Sequence, residues 1–374
     1  MSTMIRLPEK IRRTLEKTVG ELRTAENIYG IGLFGSWSRN EAAPSSDVDL
    51  FILEKGSSNY EYVERAELGG LFLDFDHVPK SWLNGPISPE LDQKLYEMQI
   101  LYDRDWSLTN TKILMAKVYC SPERVDIRAE SHIIDSDIYL SRATSAISRG
   151  DFQSAYIFVT VALQSILKVL LEIALESFSN SRFLEKLERA ATKLGMQKTF
   201  REYLEIAGLR GLESTDVNGK LKLFKMVWEE AKANITNNRQ VLEAMHFKVR
   251  KKLGYYLNPA FLQGTILRTT ALIEQEKTGE AYNYLRNTFL DMIENYAWFK
   301  STIEKTKVDH TTLIRTLERL EEKNPKSYKN IAEFLELDEI DRNKAVETTE
   351  KARNIIVEIR GERKTLIKNY LKAE

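Results

Sequence analysis

The chain has 374 residues, and its 55 basic side chains balance 55 acidic ones, so the formal net charge is zero. A chain of this length exceeds one ordinary hydrophobic core and predicts two or three domains. The balanced charge argues against a protein coated with nucleic-acid-binding charge. The one cysteine, Cys120, excludes a disulfide framework or a cysteine-type zinc site within one chain.

The N-terminal part of the chain alternates between strand and helix signals. Apolar runs predict strands over 28–34, 48–54, 71–78 and 100–102. Amphipathic spacing predicts helices over 8–26, 60–67 and 90–98. This alternation predicts an α+β fold, in which a small mixed β-sheet over residues 1–107 carries helices on one side.

Residues 35–50 read GSWSRNEAAPSSDVDL and join the first two predicted strands. Asp47 and Asp49 lie two residues apart and point to the same face, where they repel each other unless a divalent cation lies between them. The Gly35-Ser36 turn ends one strand and begins a helix, so its backbone N–H groups suit a phosphate. A phosphate site and a metal site on adjacent strands are the minimum that phosphoryl-transfer chemistry needs.

This pattern resembles the signature of the DNA polymerase β-type nucleotidyltransferase superfamily, which is Gly-Ser, ten residues, then Asp-x-Asp. Gly35-Ser36 and Asp47-x-Asp49 have that spacing. Ser46 also fits the usual Ser-Asp-x-Asp-Leu ending. The resemblance implies a small mixed sheet that holds a nucleotide and a metal ion.

The residues between the two halves of the motif agree with this resemblance. Arg39 falls where the smaller members carry arginine, although Asn40 replaces the glycine that they usually place next. That glycine has no chemical role, so the departure leaves the expected chemistry intact. The resemblance implies that nucleotide binding falls to Gly35, Ser36, Arg39 and Ser46.

The superfamily also needs a third carboxylate on a later strand, and the predicted strand 71–78 offers two. Asp74 and Asp76 share one face of that strand because they lie two residues apart. Resemblance to the kanamycin nucleotidyltransferases, in which a single acid lies mid-strand before a short helix, favours Asp74, since residues 79–83 fit that helix. Asp76 is then a neighbour of the site, and the choice between the two stays open here.

The resemblance implies an enzyme, a nucleotidyltransferase that moves a nucleoside monophosphate, with AMP favoured, from a nucleoside triphosphate to a hydroxyl and releases pyrophosphate. Asp47, Asp49 and Asp74 would be the catalytic residues and the ligands of Mg²⁺ or Mn²⁺, which neutralises charge on the phosphates. Asp74 would activate the hydroxyl as a general base or as ligand to a second metal ion. A small-molecule or protein acceptor is favoured over RNA because the net charge is neutral.

Helical periodicity without strand signals continues from residue 106 to the C-terminus, so this part is predicted to be all-α. Two stretches in it resemble each other: RATSAISRGDFQSAYIF from Arg142 and RTTALIEQEKTGEAYNY from Arg268. Chance similarity among helices is one explanation, and a duplication is the favoured one. The duplication predicts a connecting segment over 108–135 and two tandem helical bundles over 136–262 and 263–374. By resemblance such bundles bind the acceptor or pair with another subunit, so a homodimer is one expectation.

The most apolar stretch, residues 157–175, is interrupted by polar side chains at a spacing of four: Gln164, Lys168 and Glu172. Such a stripe predicts a core helix of a soluble bundle rather than a membrane span. The first residues of the chain lack the apolar core of a signal peptide. A cytoplasmic protein without a membrane partner is therefore expected.

Two other functions stay open from the sequence. One is a non-catalytic nucleotide-binding or scaffold protein, which the presence of all three carboxylates disfavours. The other is a helical RNase-like module fused to the N-terminal domain, because the spacing of Arg239 and His246 resembles the Arg-to-His motif of helical RNases associated with minimal nucleotidyltransferases. The residues between them are ordinary helix, and the four histidines lie at no metal-ligand spacing.

Overall fold

The computed structural model of the protein describes residues 7–56, 59–307, 309–320, 322 and 325–371. The described chain divides into two compact units. Unit 1 contains the residues up to Cys120 together with His246–Arg268, and unit 2 contains Ser121–Met245 and the residues from Thr269 on. Nothing in the sequence pattern predicts that His246–Arg268 packs with the N-terminal residues.

The N-terminal part of unit 1 contains strands and helices in alternation. In chain order these are α1 (Glu9–Leu22), β1 (Ile28–Phe34), α2 (Gly35–Ser38), β2 (Val48–Glu54), β3 (Tyr62–Leu68), β4 (Leu71–Pro79), α3 (Asp92–Glu97), β5 (Gln99–Asp103) and α4 (Ser107–Val118). A 3₁₀ turn, Lys80–Leu83, follows β4 where a short helix is predicted.

Every later element in the described residues is helical. These elements are α5 (Pro122–Ser148), α6 (Phe152–Ile173), α7 (Phe183–Lys193), α8 (Gln197–Ile206), α9 (Ser214–Asn237), α10 (Arg239–Ala244), α11 (Phe247–Tyr256), α12 (Pro259–Glu274), α13 (Thr278–Ile303), α14 (Leu313–Leu320), α15 (Pro325–Leu335) and α16 (Arg342–Leu371), with 3₁₀ turns at Asn180–Arg182 and Leu337–Glu339. The prediction of a small sheet domain followed by a mostly helical region is confirmed.

The strands form one five-stranded sheet in the order β3-β4-β2-β1-β5. β2 and β4 run parallel, while the other neighbouring strands run antiparallel, so the sheet is mixed as predicted. β1 and β2 match the predicted strands over 28–34 and 48–54. β4 and β5 cover the predicted strands over 71–78 and 100–102.

Helices cover both faces of this sheet, so the prediction of helices on one side is wrong. Ile11 of α1 packs with Ile52 in a cluster on one face. Leu95 of α3 and Met115 of α4 pack with Phe51 in a cluster on the other face. The physical reason lies in β2, whose central residues form an unbroken apolar run, because a strand buried on both faces has no polar side to alternate with.

The prediction of a helix over 60–67 is wrong, because Tyr62–Leu68 forms strand β3. Gly69 and Gly70 both have positive φ, +61° and +71°, and they join β3 to β4 in a two-residue turn. Two-residue turns with positive φ at both positions match the twist of an antiparallel pair. The glycine pair therefore fixes the preceding segment as the partner strand of β4.

Unit 2 is built around α6, which packs against α5 and α16. Among the described residues, α6 is the one helix that is both long enough and apolar enough to cross a membrane. It is mostly buried inside the fold, as the core helix of a soluble protein would be. The predicted polar stripe on this helix is less buried than its neighbours, and Glu172 binds Arg128 and His132 of α5. The division at 107 and 135 and the duplication over 136–262 and 263–374 stay predictions.

Candidate active site

Three carboxylates converge at one place on the sheet of unit 1. Asp47 precedes β2, Asp49 lies in β2, and Asp74 lies in β4 in register with Asp49. Each of the three offers an oxygen atom, and these oxygens all lie within 4.8 Å of one another. The parallel pairing of β2 and β4 produces this approach, because it sets equivalent positions of the two strands side by side.

Arg65 of β3 bridges two of the three carboxylates. It lies opposite Asp74 in the β3–β4 register, and its Nε and Nη2 atoms each donate to one Asp74 oxygen at 2.6 Å. The same Nη2 atom also donates to Asp47. The guanidinium is buried against the rings of Tyr255 and Phe261, at 5.5 and 5.4 Å from their centroids. A bidentate, buried pair of this kind is among the strongest hydrogen-bonded contacts in proteins.

The segment His246–Arg268 contributes two further contacts to the cluster. Arg268 donates from Nη2 to Asp47 Oδ1 at 2.6 Å. The Tyr255 hydroxyl donates to Asp74 Oδ2 at 3.1 Å. The Asp49 carboxylate makes no direct hydrogen bond or ion pair with any residue that the structure describes, so it is the least compensated of the three.

The electrostatics of the cluster differ from one carboxylate to the next. Burial raises the pKa of Asp49 well above its usual range, and the charges of Asp47 and Asp74 raise it further. Burial also raises the pKa of Asp74, although Arg65 opposes that shift. Burial works against ionisation of Asp47 too, but Arg268 and Arg65 outweigh it and lower the pKa of Asp47.

This donor set fits a divalent cation. When all three carboxylates are ionised, their three negative charges exceed the two positive charges of Arg65 and Arg268 by one. Clustered carboxylate oxygens with an uncompensated charge are the ligands that Mg²⁺ and Mn²⁺ prefer. Asp49 is the carboxylate of the three that lacks an ion-pair partner among the described residues, and it lies directly opposite Asp74 in the β2–β4 register.

The Gly35 turn lies directly against this cluster. Gly35 has φ +76°, and a Cβ atom at this position would collide with the Asp49 carboxylate. The Gly35 N–H donates to Glu97 Oε1 at 2.7 Å, and Arg39 donates to Glu97 Oε2 at 2.6 Å. The turn therefore presents a backbone donor and a guanidinium to one shared anionic group.

The two serines of the predicted nucleotide site differ in position. Ser36 lies in the first turn of α2, and its carbonyl accepts a hydrogen bond from the Glu41 N–H at 2.9 Å. Ser46 precedes the first aspartate, and its hydroxyl accepts a hydrogen bond from the Ala43 N–H at 2.9 Å. The Ser46 hydroxyl thus closes the turn that leads into Asp47.

Asp76 lies outside the three-carboxylate cluster. Its carboxylate binds Lys94, which also binds Glu61. Burial raises the pKa of Asp76 to about 7, with Lys94 opposing and Glu61 reinforcing the shift. His77 belongs to the opposite face of β4, where its ring contacts Glu54 at 3.2 Å and stacks on Tyr62.

Sequence reasoning misses Arg65, Tyr255 and Arg268. Arg65 carries a recoverable signal, because counting outward from the Gly69-Gly70 turn pairs Arg65 with Asp74 once the hairpin is recognised. Tyr255 and Arg268 lie far along the chain in a helical segment, and no local pattern links them to the carboxylates.

The two residues behind the RNase alternative have local structural partners. Arg239 donates to Glu243 at 3.0 Å one helical turn away. His246 caps the N-terminus of α11, where its Nδ1 accepts a hydrogen bond from the Lys248 N–H at 3.3 Å. These contacts give each residue a role in helix structure and supply no observation in favour of RNA cleavage.

The mixed sheet and its three clustered carboxylates all lie between residues 28 and 103. Residues 13–105 match the family model described as "Nucleotidyltransferase domain", so this part of the chain is such a domain and the predicted resemblance is confirmed there. The match supports a transferase and leaves the kanamycin subtype as a prediction.

Two further comparisons complete the picture. The crystal structure of a nucleotidyltransferase-like protein from Exiguobacterium sibiricum 255-15 is similar over 87% of this chain and 90% of that chain, at 12% sequence identity and a TM-score of 0.32. Comparison with curated proteins gives no match.

Proposed function

We propose that this protein is a metal-dependent nucleotidyltransferase that moves a nucleoside monophosphate from a nucleoside triphosphate to an acceptor hydroxyl. The observation that carries the proposal is the convergence of the Asp47, Asp49 and Asp74 oxygens within 4.8 Å of one another, inside the matched nucleotidyltransferase domain. ATP is the favoured donor, so AMP is the group transferred.

In this proposal Asp47, Asp49 and Asp74 hold Mg²⁺ or Mn²⁺. When bound, the ion supplies positive charge that stabilises the phosphates during displacement. The Gly35 N–H and Arg39 already face one carboxylate, that of Glu97, and a phosphate group of the donor offers them the same kind of anionic oxygen. Ser36 lies beside this turn, and Ser46 holds the loop that positions Asp47.

Asp74 is the proposed general base. The acceptor oxygen forms a bond to the α-phosphorus, the bond from that phosphorus to the pyrophosphate oxygen breaks, and the hydroxyl proton passes to Asp74. Arg65 and Tyr255 orient the Asp74 carboxylate by donating to it. Three hydrogen bonds from Arg65 and Tyr255, together with a bound metal ion, would use all four lone pairs of the Asp74 carboxylate, so one donor has to move away before Asp74 accepts a proton.

The proposal extends to location and partners. A cytoplasmic location is supported by the burial of α6, the one described helix with a composition suited to a membrane. The proposed partners are the nucleoside triphosphate and a small-molecule or protein acceptor. Pairing of two subunits through the helical region stays a prediction.

The test is transfer of label from each α-labelled nucleoside triphosphate, with Mg²⁺ or Mn²⁺, to material in clarified lysate from the native source. Wild-type protein is expected to label a new species and release pyrophosphate, while Asp49→Asn is expected to do neither. Glu16→Gln, an exposed change on α1, serves as the folded control with wild-type activity. If wild type and Asp49→Asn behave alike with every nucleotide, the scaffold alternative replaces this proposal.

A further inference from the structure

Unit 1 contains a pocket beside the carboxylate cluster, between the edge of β3 and helix α11. Its volume is about 350 Å³. Its lining combines aromatic rings with lysines: Tyr62, Trp82, Tyr255, Tyr256, Lys248, Lys251 and Lys252, with Glu61, Val63 and Glu90 completing the wall. The volume lies in the lower part of the roughly 300–1,000 Å³ range of small-molecule sites.

Tyr255 connects this pocket to the proposed chemistry. Its ring lines the pocket while its hydroxyl donates to Asp74 Oδ2 at 3.1 Å. A molecule in the pocket therefore lies one side chain away from the proposed general base.

The order of the strands decides which substrate this pocket suits. The Gly35 turn follows β1, Asp49 lies on β2, Asp74 lies on β4, and the pocket lies against β3, so these features follow one another across the sheet. In-line displacement requires the attacking and leaving oxygens on opposite sides of the phosphorus. If the outer phosphates of the donor lie at the Gly35 turn, the acceptor hydroxyl approaches from the β3 side.

The chemistry of the lining indicates the class of acceptor. Lys251 is paired with Glu64 at 2.6 Å. Lys248 lies over the Tyr60 ring at 4.6 Å, and neither Lys248 nor Lys252 has a carboxylate partner among the described residues. The two lysines are four residues apart on α11 and project from the same side of the helix. Their ammonium groups suit a phosphate, and the aromatic walls suit a planar ring.

We propose that this pocket binds the acceptor, and that the acceptor is a small phosphate-bearing molecule with a planar ring and a free hydroxyl. The inference rests on the proposed function and narrows its acceptor class. The acceptor hydroxyl oxygen bonds to the α-phosphorus of the donor, its proton passes to Asp74, and pyrophosphate leaves.

Calorimetric titration without metal tests the pocket directly, with AMP, adenosine and inorganic phosphate as probes. AMP is expected to bind at least tenfold more tightly than adenosine or phosphate, because it engages both the rings and the lysines. Lys248→Gln/Lys252→Gln is expected to weaken AMP binding about tenfold or more, since charge-assisted contacts to phosphate are lost. Lys117→Gln, an exposed change on α4, should bind AMP as wild type does. Equal AMP binding by the double variant, or equal binding of AMP and phosphate, would overturn the proposal.

Two further arms separate the acceptor assignment from the proposed function. AMP binding is repeated with saturating Mg²⁺ and α,β-methylene-ATP: simultaneous binding supports an acceptor pocket, and mutual displacement assigns the pocket to the donor and overturns the inference. Pyrophosphate release from ATP and Mg²⁺, with AMP as the acceptor, is measured for wild type, Asp49→Asn and the double lysine variant. If Asp49→Asn releases pyrophosphate as fast as wild type, the proposed function fails. If Asp49→Asn is inactive but the double lysine variant releases pyrophosphate as fast as wild type at a limiting acceptor concentration, the acceptor assignment fails and the proposed function stands.

Discussion

Arg65 and Asp74 lie directly opposite each other on β3 and β4, and the Arg65 guanidinium donates to both Asp74 oxygens at 2.6 Å. The same guanidinium binds Asp47, so one fixed cation joins two of the three clustered carboxylates. Removal of one partner from a buried pair typically costs about 3–5 kcal/mol, because the other charge is left uncompensated. Arg65 therefore both stabilises the clustered carboxylates and competes with any cation that binds them.

Arg65→Gln is expected to bind Mn²⁺ about tenfold more tightly than wild type does, because one positive charge beside the ligands is removed. The same variant is expected to unfold at a lower temperature, since Asp47 and Asp74 lose a shared donor. Mn²⁺ titration followed by electron paramagnetic resonance, together with circular dichroism of the unfolding transition, measures both effects. Arg12→Gln on the exposed face of α1 is the charge-matched control, and weaker Mn²⁺ binding by Arg65→Gln would contradict the competition.

Gly35→Ala is expected to impair transfer and lower stability by about 1–2 kcal/mol or more, because φ +76° disfavours a side chain and the new Cβ collides with Asp49. Gly20→Ala is the matched control, since Gly20 lies in α1 with negative φ and open space around its Cβ position. That control is expected to gain about 0.5–1 kcal/mol from helix propensity. Denaturant unfolding and pyrophosphate release measure the pair, and equal behaviour of the two variants would show that the Gly35 turn does not constrain the cluster.

Much of the sheet is predictable from the sequence because its strands coincide with apolar runs. β1 and β2 begin and end at the same residues as the predicted apolar runs. The Asp47–Asp49 spacing places both acids at the start of β2. β3 escapes prediction because three of its seven residues, YVERAEL, are charged and the sequence fits a helix as well as an edge strand. Its strand conformation follows from pairing with β4, which is a tertiary effect.

The missed parts of the site share one physical cause. Tyr255 and Arg268 reach the carboxylates only because α11 and the first part of α12 pack in unit 1, and contacts so distant in sequence leave no periodic signal. The choice between Asp74 and Asp76 is likewise decided by register, since β2 pairs Asp49 with Asp74 and Phe51 with Asp76. The alternation of side chains along a strand places Asp74 and Asp76 on the same face of β4, so alternation alone does not choose between them.

Asp74→Asn and Asp76→Asn are expected to separate these two acids. Asp74→Asn should abolish transfer, because it removes an oxygen ligand and the proposed base. Asp76→Asn should keep transfer within about threefold of wild type, because Lys94 retains Glu61 as its partner. Rates of pyrophosphate release at saturating donor measure both variants. Loss of transfer in Asp76→Asn with full transfer in Asp74→Asn would reverse the assignment of the third carboxylate.

Glu185 in unit 2 gives an acid-sensitive contribution to stability. Hydrogen bonds from Arg182, with further help from Lys277, lower the pKa of Glu185 from 4.5 to about 2. A lowered carboxyl pKa stabilises the folded state at a pH above the unfolded value, and this contribution is lost as the pH falls through the folded value. The contribution is therefore complete above pH 4.5 and disappears towards pH 2. The pair is partly exposed and screened, so its size at neutral pH is about 1 kcal/mol.

Glu185→Gln is accordingly expected to lower the thermal unfolding midpoint at neutral pH, with the difference from wild type shrinking as the pH falls from 4.5 to about 2. Glu188→Gln, on the exposed face of the same helix, is the matched control and should track wild type throughout. Scanning calorimetry of the unfolding transition across this pH range measures the difference. A gap between Glu185→Gln and wild type that stays constant down to the lowest pH would show that packing, rather than the ion pair with Arg182, accounts for the stabilisation, because packing does not titrate.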